Sequence, residues 1–479
     1  MTRGPSLPRG RQFVLTWGIP AEYGGLTAAL LQRSRAFADH GSPVHVLTCD
    51  DRDDRVAVSA QLERRGALAS GVHLTNLWDW LRENTLRGRP VAAGAGFSPL
   101  PASATAEYTG GILVRRIRTD AAGAVQQIDH LRADGTLAVS DRRDVAHGSG
   151  RTRRVIVACD ESGAPRAAWR GVRELYTAWL DRLTGGARSF LLVDSKAMAR
   201  FAAGYRRAGV VVLHVVHGSH LTDDGSAIRA SRAEVFSRLS AFDAVVFCTP
   251  RQVADVRREV GPIPLLTAVP HPVDVPDTDT RAPRDGTVVV ARLEPIKRVE
   301  DAVDAIGLAR SRGAQVHLDV YGDGPSRAAL ERRAGDGVVF HGFDPAARDA
   351  LRRASTLLLT SRSEAFSLVV AEAMAAGCLP IAYDVPYGPR ELIADGRTGW
   401  LMAPGDVAAL SEALVHAASA SPATLARMRR AAVERARAYD EAAVLRLWGR
   451  ALSRARRRHR LRGTTWRTRE MLRRRLRIG

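Results

Sequence analysis

Lysine is nearly absent from this chain of 479 residues: of its 71 basic side chains, only Lys196 and Lys297 are not arginine. Where almost every cation is written as Arg, those two positions stand out. Cysteine is scarce as well. Cys49, Cys159, Cys248 and Cys378 are scattered singly, with no Cys-x-x-Cys pair and no clustered Cys/His spacing of the kind a tetrahedral zinc site uses. A disulfide scaffold is thereby excluded, and a reduced, intracellular protein is expected. No apolar run approaches the ~20 residues of a membrane span. The start, Met-Thr-Arg-Gly-Pro, leads into an apolar stretch only from Phe13 to Leu15, which predicts no signal peptide. Aromatics are 6%, too few for the stacking platform of a nucleic-acid binder.

What is present is an ordinary globular balance, 45% hydrophobic and 25% charged, enough to build sizeable cores. The length suits three domains of usual size or two large α/β domains. The formal net charge of +20 is uneven, because residues 451–479 carry twelve arginines against one acid, Glu470. Charge alone suits nucleic acid, but no nucleic-acid module is recognisable, so that partner is not expected.

The chain alternates. Phe13–Thr16, the Gly24-Gly25 loop, an apolar-periodic stretch through Leu30, Leu31 and Phe37, and Val44–Thr48 read as strand, Gly loop, helix and strand. Runs at 189–193, 210–216 and 244–248 continue the pattern of a parallel sheet. Residues 269–283, rich in Pro and Asp, read as a connection. From Thr287 the alternation restarts over five further strand-like runs, which predicts a second doubly wound domain. Between them, Arg116–Gly123, Asp129–Gly135 and Val155–Gly163 each set a strand-like run before a Gly turn, so 107–170 is expected to be an antiparallel insertion of hairpins. The expected domains are 1–275, 276–425 and a helical, Arg-rich tail over 426–479.

The residues that carry chemistry cluster in the second domain. In Ala291-Arg-Leu-Glu-Pro-Ile-Lys-Arg298, Arg292 ends a strand and Lys297 is expected to open the next helix, so both cations crowd the carboxyl end of the sheet. Open α/β sheets bind ligands there, and two cations beside helix N-termini suit a diphosphate. In Ser363-Glu-Ala-Phe-Ser-Leu-Val-Val-Ala-Glu-Ala-Met-Ala-Ala-Gly377, Glu364 follows a strand and Glu372 sits about two turns into a helix beginning near Ser367. The free N–H groups at Ser367 and Leu368 would face the same crevice. Gly322, in Tyr321-Gly-Asp-Gly-Pro325, is expected to shape the nucleotide pocket. It lacks the third glycine of a dinucleotide fingerprint, and this argues against a nicotinamide dehydrogenase.

These motifs resemble the donor domain of retaining, family 4 glycosyltransferases of the two-domain GT-B fold, whose pattern is an Arg and a Lys after one strand and a Glu-x7-Glu after a later one. The resemblance covers about 270–420, with Val269-Pro-His-Pro-Val-Asp274, Gly388-Pro-Arg-Glu391 and Thr398-Gly-Trp-Leu401. It implies an α/β, GT-B chain of two Rossmann-like doubly wound domains facing a cleft, with a β-rich insertion in the first. It also implies a UDP-sugar donor and retention at the anomeric carbon. By the same resemblance Arg292 and Lys297 stabilise the departing diphosphate, Glu372 holds the ribose, and Glu364 contacts the donor sugar. Ala365 and Ser367 stand where the family often has glycine.

Glu22-Tyr-Gly-Gly-Leu-Thr27 is similar to the family's Gly-Gly loop, which places Gly24 and Gly25 against the donor phosphate and acceptor. The family also sets a histidine from the loop Leu213-His-Val-Val-His-Gly-Ser-His-Leu221 against the donor sugar. Spacing does not choose between His217 and His220, with His220 preferred. No metal is expected on these histidines, because no acidic or Cys partner is close in sequence, nor on Asp277-Thr-Asp279 in the connection.

The insertion and Asp384-Val-Pro-Tyr-Gly-Pro-Arg-Glu391 are similar to the poly(glycerol-phosphate) α-glucosyltransferase and teichoic-acid α-glycosyltransferase branch. This implies a hexosyl or N-acetylhexosaminyl transfer to a cell-wall polyol-phosphate or related polyanionic glycan, with protein Ser/Thr or lipid acceptors as alternatives. It also implies a homo-oligomer or acceptor contact through the insertion, and no required cofactor. A cytoplasmic enzyme is expected, peripheral at the inner face of the membrane if the tail, with Met471, Leu472, Leu476 and Ile478 at helical spacing among arginines, lies on an anionic surface.

Overall fold

A computed structural model describes residues 6–475 apart from 53, 69, 92–96, 147–150, 262–264 and 345; the side chains of residue 55 and of residues from 464 onward lie outside the description. The described chain divides into two compact units. One comprises Gly24–Ala36 and Val215–Arg454 with Ser6–Pro8; the other comprises Arg9–Tyr23, Phe37–His214 and the chain from Ala455.

The second of these units opens with β1 (Arg11–Leu15), β2 (Val44–Thr48) and β3 (Val72–Asn76). An antiparallel meander follows: β4 (Thr105–Thr109), β5 (Ile112–Thr119), β6 (Val125–Leu131), β7 (Leu137–Ala146), β8 (Thr152–Cys159) and β9 (Pro165–Trp169). The chain then returns to the parallel sheet with β10 (Ser189–Val193) and β11 (Val210–Val216), so that the order runs β3-β2-β1-β10-β11. Strands buried on both faces read as continuous apolar runs, and β10 and β11 are buried at every residue.

The meander forms because its turns are written into the sequence. Asp120 Oδ1 accepts from the N–H groups of Ala122 and Ala124 at 3.0 and 2.9 Å, and Asp160 Oδ1 repeats this with Ser162 and Ala164 at 3.0 Å each. In each turn the glycine that follows has positive φ, at Gly123 and Gly163, which suits a short hairpin with a bulge. The meander is tied to the parallel sheet's loops by Arg115, whose Nη1 lies 2.8 Å from Asp51, and by His130, whose ring stacks on Trp78 with centroids 4.5 Å apart.

The other unit holds the parallel pair β12 (Ala244–Phe247) and β13 (Leu266–Ala268) and a complete six-stranded sheet. That sheet is built of β14 (Asp285–Val290), β15 (Leu318–Tyr321), β16 (Val338–Gly342), β17 (Ala354–Leu359), β18 (Leu379–Tyr383) and β19 (Trp400–Met402). All pairings are parallel and the order is β16-β15-β14-β17-β18-β19, the doubly wound order in which direction reverses between β14 and β17. Leu318, Val320, Leu357 and Ile381 are fully buried, and the helix Val299–Ser311 lays Ala302, Ala305, Ile306 and Ala309 on them at helical spacing.

The chain ends in the helices Pro422–Ala436 and Glu441–Arg475. Trp448, Ala451, Leu452 and Ala455 of the last helix are buried, so its first half is core and not tail. The stripe of Met471, Leu472, Leu476 and Ile478 lies outside the described side chains. Among the described residues no helix is long and apolar enough to cross a membrane.

Candidate functional site

The reversal point of the six-stranded sheet gathers the charged residues. After β14 the chain passes Arg292 and enters a single 3₁₀ turn, Pro295–Lys297, and the helix begins only at Val299. Lys297 therefore ends a tight turn instead of opening the helix, and Arg298, at φ 46°, takes the left-handed step between them. After β17 the loop carries Glu364 to the helix Leu368–Ala375. Lys297 Nζ and Glu364 Oε1 meet at 2.7 Å, with side chains 24% and 12% exposed, so the pair is shielded but reachable. Thr360 Oγ1 donates to the Lys297 carbonyl at 2.9 Å and fastens the turn to the end of β17.

Arg292 is 62% exposed and bonds Glu294 at 2.7 Å. It passes close to Gly24: a Cβ there would lie 3.1 Å from Arg292 Nε, so a side chain at 24 would crowd the guanidinium, whereas Gly25 meets nothing within 4 Å. Gly322, at φ 140°, is required sterically, since a Cβ would fall 1.8 Å from the Ala291 carbonyl. The β15 loop can thus press on the Arg292 segment.

Ser367 precedes the helix Leu368–Ala375 with φ 66°, a left-handed conformation that costs a non-glycine residue about 1–2 kcal/mol. This is the physical content of a glycine preference at that position. Its Oγ is buried and has no hydrogen-bond partner among the described residues, and no side chain caps the helix. The first N–H groups of this helix, beginning at Leu368, form a site of positive potential within the Lys297–Glu364 loop cluster.

Glu372 lies five residues into that helix, little more than one turn, and bonds Arg348 at 2.7 Å. Burial raises its pKa and Arg348 opposes the rise. Sequence reading missed Arg348, which belongs to a separate helix, Ala347–Arg353.

The two histidines separate sharply. His220 is 0% exposed, its ring between Phe236 and Tyr387 at 5.5 and 5.7 Å and its Nε2 3.2 Å from Glu259. Burial pushes its pKa down to about 4, with Asp255 opposing and Arg232 assisting. A ring held on both faces inside the protein has little surface for a sugar, which counts against the preference for His220. His217 is half-buried and lies near-parallel to His271, with centroids 5.3 Å apart; Phe366 in turn meets His271 edge-on.

The ground for expecting no metal ligand set also fails: Cys248 and His271, distant in sequence, are brought beside His217, and one donor atom from each lies within 4.8 Å of the others. Only the parallel strands that end at these residues make them neighbours, so no local spacing was available to reveal them. Asp277 and Asp279 are not part of this grouping.

A separate cavity of about 590 Å³ lies in the other unit, beyond the carboxyl ends of β2 and β3. Thr48, Asp50, Asn76, Asp79, Trp80 and Glu83 contribute to its lining. Asn76 organises this end: its Oδ1 caps the next helix through Trp78 N at 2.8 Å, and its Nδ2 donates to Thr48 Oγ1 at 3.0 Å. Arg52 and Arg82 pair with Asp50 and Asp79.

Comparison with known proteins bears on part of the chain and on its fold. Residues 284–419 match the family described as glycosyl transferases group 1. The chain is 26% identical over 210 residues to a poly(glycerol-phosphate) alpha-glucosyltransferase of Bacillus subtilis, covering 42% of this chain and 31% of that protein. It is 22% identical over 197 residues to a poly(ribitol-phosphate) alpha-N-acetylglucosaminyltransferase of Staphylococcus aureus, covering 40% of each. The chain thus spans well under half of these curated relatives. In three dimensions it is similar to TarM of S. aureus, solved as a point variant with UDP, fondaparinux and alpha-GlcNAc-glycerol, with TM-score 0.73, 16% identity, and coverage of 93% and 100%. It is also similar to the pneumococcal O-GlcNAc transferase GtfA, solved with UDP and GlcNAc, with TM-score 0.68, 17% identity, and coverage of 93% and 99%. The fold is GT-B.

Proposed function

We propose that the chain is a retaining glycosyltransferase of family 4 type that moves a hexosyl or N-acetylhexosaminyl unit from a UDP-sugar to an acceptor hydroxyl. One observation carries this: Arg292, the Lys297–Glu364 pair and the uncapped helix behind Ser367 gather where the strand order β14/β17 reverses. The task is to expel a nucleoside diphosphate while a hydroxyl attacks from the same face. Preorganised positive potential where leaving-group charge develops is usually the largest electrostatic contribution to such a reaction. Arg292, Lys297 and the helix N–H groups supply it, so no divalent ion is assigned to the transfer. Glu364 meets the donor sugar, Glu372 the ribose, and Gly24 and Gly322 leave room for the chain to close on the diphosphate. Of the two histidines, we assign the half-buried His217 to the donor sugar and His220 to packing.

For the acceptor we propose a cell-wall polyol-phosphate polymer or related glycan, with the β4–β9 meander contributing self-association or acceptor contact and the Arg-rich tail an anionic surface at the inner face of the membrane. One observation favours a second reading. Among the described residues, the cavity beyond β2 and β3 is lined by carboxylates, hydroxyls, Asn76 and Trp80 together with apolar side chains such as Ile19 and Leu74. Hydroxyls, an amide and an indole suit a sugar; with Asp50 and Asp79 already paired to Arg52 and Arg82, the remaining carboxylates Glu63 and Glu83 offer phosphate no cation, which favours an uncharged, protein- or lipid-linked acceptor at that position.

A panel of nucleotide sugars, read by thermal shift and by nucleotide diphosphate release, tests the donor. Stabilisation and slow hydrolysis with a UDP-sugar are expected; uniform silence across the panel would defeat the reading.

A further inference from the structure

We infer that His217, Cys248 and His271 form a binding site for a borderline-soft divalent ion of the zinc class, and that the occupied site is inhibitory. Three parallel strand ends deliver the donors: His217 directly follows β11, Cys248 directly follows β12, and His271 lies just beyond β13. The donor set, one thiol and two imidazoles, is the combination that zinc, cobalt and copper prefer over magnesium or calcium.

The geometry is close to that of a bound ion. With metal–sulfur and metal–nitrogen bonds of about 2.3 and 2.0 Å and a tetrahedral angle, a bound Cys and His hold their donor atoms about 3.5 Å apart. Cys248 Sγ and His271 Nε2 are 3.4 Å apart. Two imidazoles on one such ion have centroids about 5 Å apart; those of His217 and His271 are 5.3 Å apart, and because they stand stacked with planes 9° from parallel, one ring must turn about its Cβ–Cγ bond to aim its nitrogen at a shared ion. All three donor atoms lie within 4.8 Å of one another, so a small side-chain rotation completes the set. Phe366, edge-on to His271 at 5.6 Å, limits that ring's freedom. Cys248 is 2% exposed whereas both histidines are half-buried, so an ion enters from the histidine side and water fills the fourth position. A simple thiol–imidazole hydrogen bond at 3.4 Å is the competing account of the Cys248–His271 contact.

Binding is argued from these residues alone. Its effect on turnover rests on the reading above that His217 meets the donor sugar: an ion that takes the His217 ring nitrogen withdraws it from the substrate.

The test titrates the full-length, metal-free protein with Co²⁺ as the probe. A thiolate-to-cobalt charge-transfer band with intense tetrahedral d–d bands is expected, displaced by Zn²⁺. Cys248→Ser and His271→Gln should each weaken Co²⁺ binding by at least about tenfold. Cys49, Cys159 and Cys378, all buried and left in place, serve as internal controls. Absence of the thiolate band, or the same band in Cys248→Ser, overturns the site and leaves the hydrogen bond as the account. Nucleotide release measured with and without Zn²⁺ is the second arm: inhibition of the parent protein and not of Cys248→Ser is expected. A normal cobalt spectrum with Zn²⁺-insensitive turnover would keep the metal site and overturn the inhibition, and with it the donor-facing role of His217.

Discussion

Lys297 Nζ lies 2.7 Å from Glu364 Oε1, and this pair joins the two strand ends, after β14 and after β17, between which the sheet reverses direction. A ligand at the reversal point meets a cation already held in place by a carboxylate, not a mobile surface lysine. Lys297→Ala should therefore cut kcat by about 10²-fold or more, the scale of a lost oxyanion donor. It should also cost about 1–2 kcal/mol of stability, because Glu364 loses a charge-assisted partner in a shielded setting. Steady-state kinetics with a denaturant melt check both; a folded Lys297→Ala variant at parental activity would take Lys297 out of the site.

The two glutamates should fail differently. Glu364→Gln removes the charge that holds Lys297 and should act chiefly on kcat. Glu372→Gln keeps a hydrogen-bonding group beside Arg348 and should chiefly raise KM for the nucleotide sugar, since a ribose contact is nearly equal in ground and transition states. Matching kinetic signatures for the two variants would contradict the division of roles.

Much of this was legible in the sequence, and for definite reasons. Parallel strands and covering helices leave a strong periodic trace, and the meander announces itself through turn residues such as Asp120 and Gly123, whose conformations are local. Arg292, Lys297 and Glu364 sit at strand ends, so locating the strands located them. Arg348 beside Glu372, Cys248 and His271 beside His217, and the enclosure of His220 by Phe236 and Tyr387 depend on contacts between segments far apart in the chain. No spacing encodes those. A helix from about Val299 was legible, but the 3₁₀ turn Pro295–Lys297 before it was not, because a turn opening on Pro295 carries the same residues as a helix N-terminus.

Ser367→Gly should stabilise the protein by about 0.5–1 kcal/mol. Glycine removes the left-handed strain at φ 66° and gives back part of the gain as backbone entropy in the unfolded chain. Ser367→Ala keeps the strain and should gain less. The N–H at 367 survives in both variants, so KM for the donor should change by less than threefold, on the order expected when no contact is lost. A larger rise in KM would show that the buried Oγ itself binds the donor.

Stability should fall on acidification from about pH 6.5 to pH 4. Burial depresses the pKa of His220 to about 4 and that of His130 to about 4, the latter with Asp51 opposing. Between the depressed values and the ordinary value near 6.5, the unfolded chain binds protons that the folded chain does not. Protonation therefore favours unfolding, by about 2–3 kcal/mol for each histidine once the window is crossed. Urea midpoints from pH 7 to pH 4 measure the slope. His220→Gln should remove its own share and leave those of His130 and of His45, which burial also holds below the ordinary value; an unchanged slope would show that His220 is protonated in the fold.

The position at which the C-terminal helix is cut should separate core from tail. Trp448, Ala451, Leu452 and Ala455 are buried; truncation after Gly449 keeps Trp448 but strips Leu452 and the two alanines from the interior, and should lower stability by at least about 1.5–3 kcal/mol, the contribution of one large buried side chain. Truncation after Gly463 spares all of these and His459, whose Nε2 bonds the Ala208 carbonyl at 2.9 Å. It still removes six arginines against the single Glu470. That shorter deletion should leave the melting transition and turnover on a small soluble acceptor unchanged. If the tail lies on an anionic surface, the same deletion abolishes sedimentation with anionic vesicles at low salt, while the full chain binds them and is released as salt rises. Undiminished vesicle binding after the shorter deletion would move the membrane contact elsewhere in the chain.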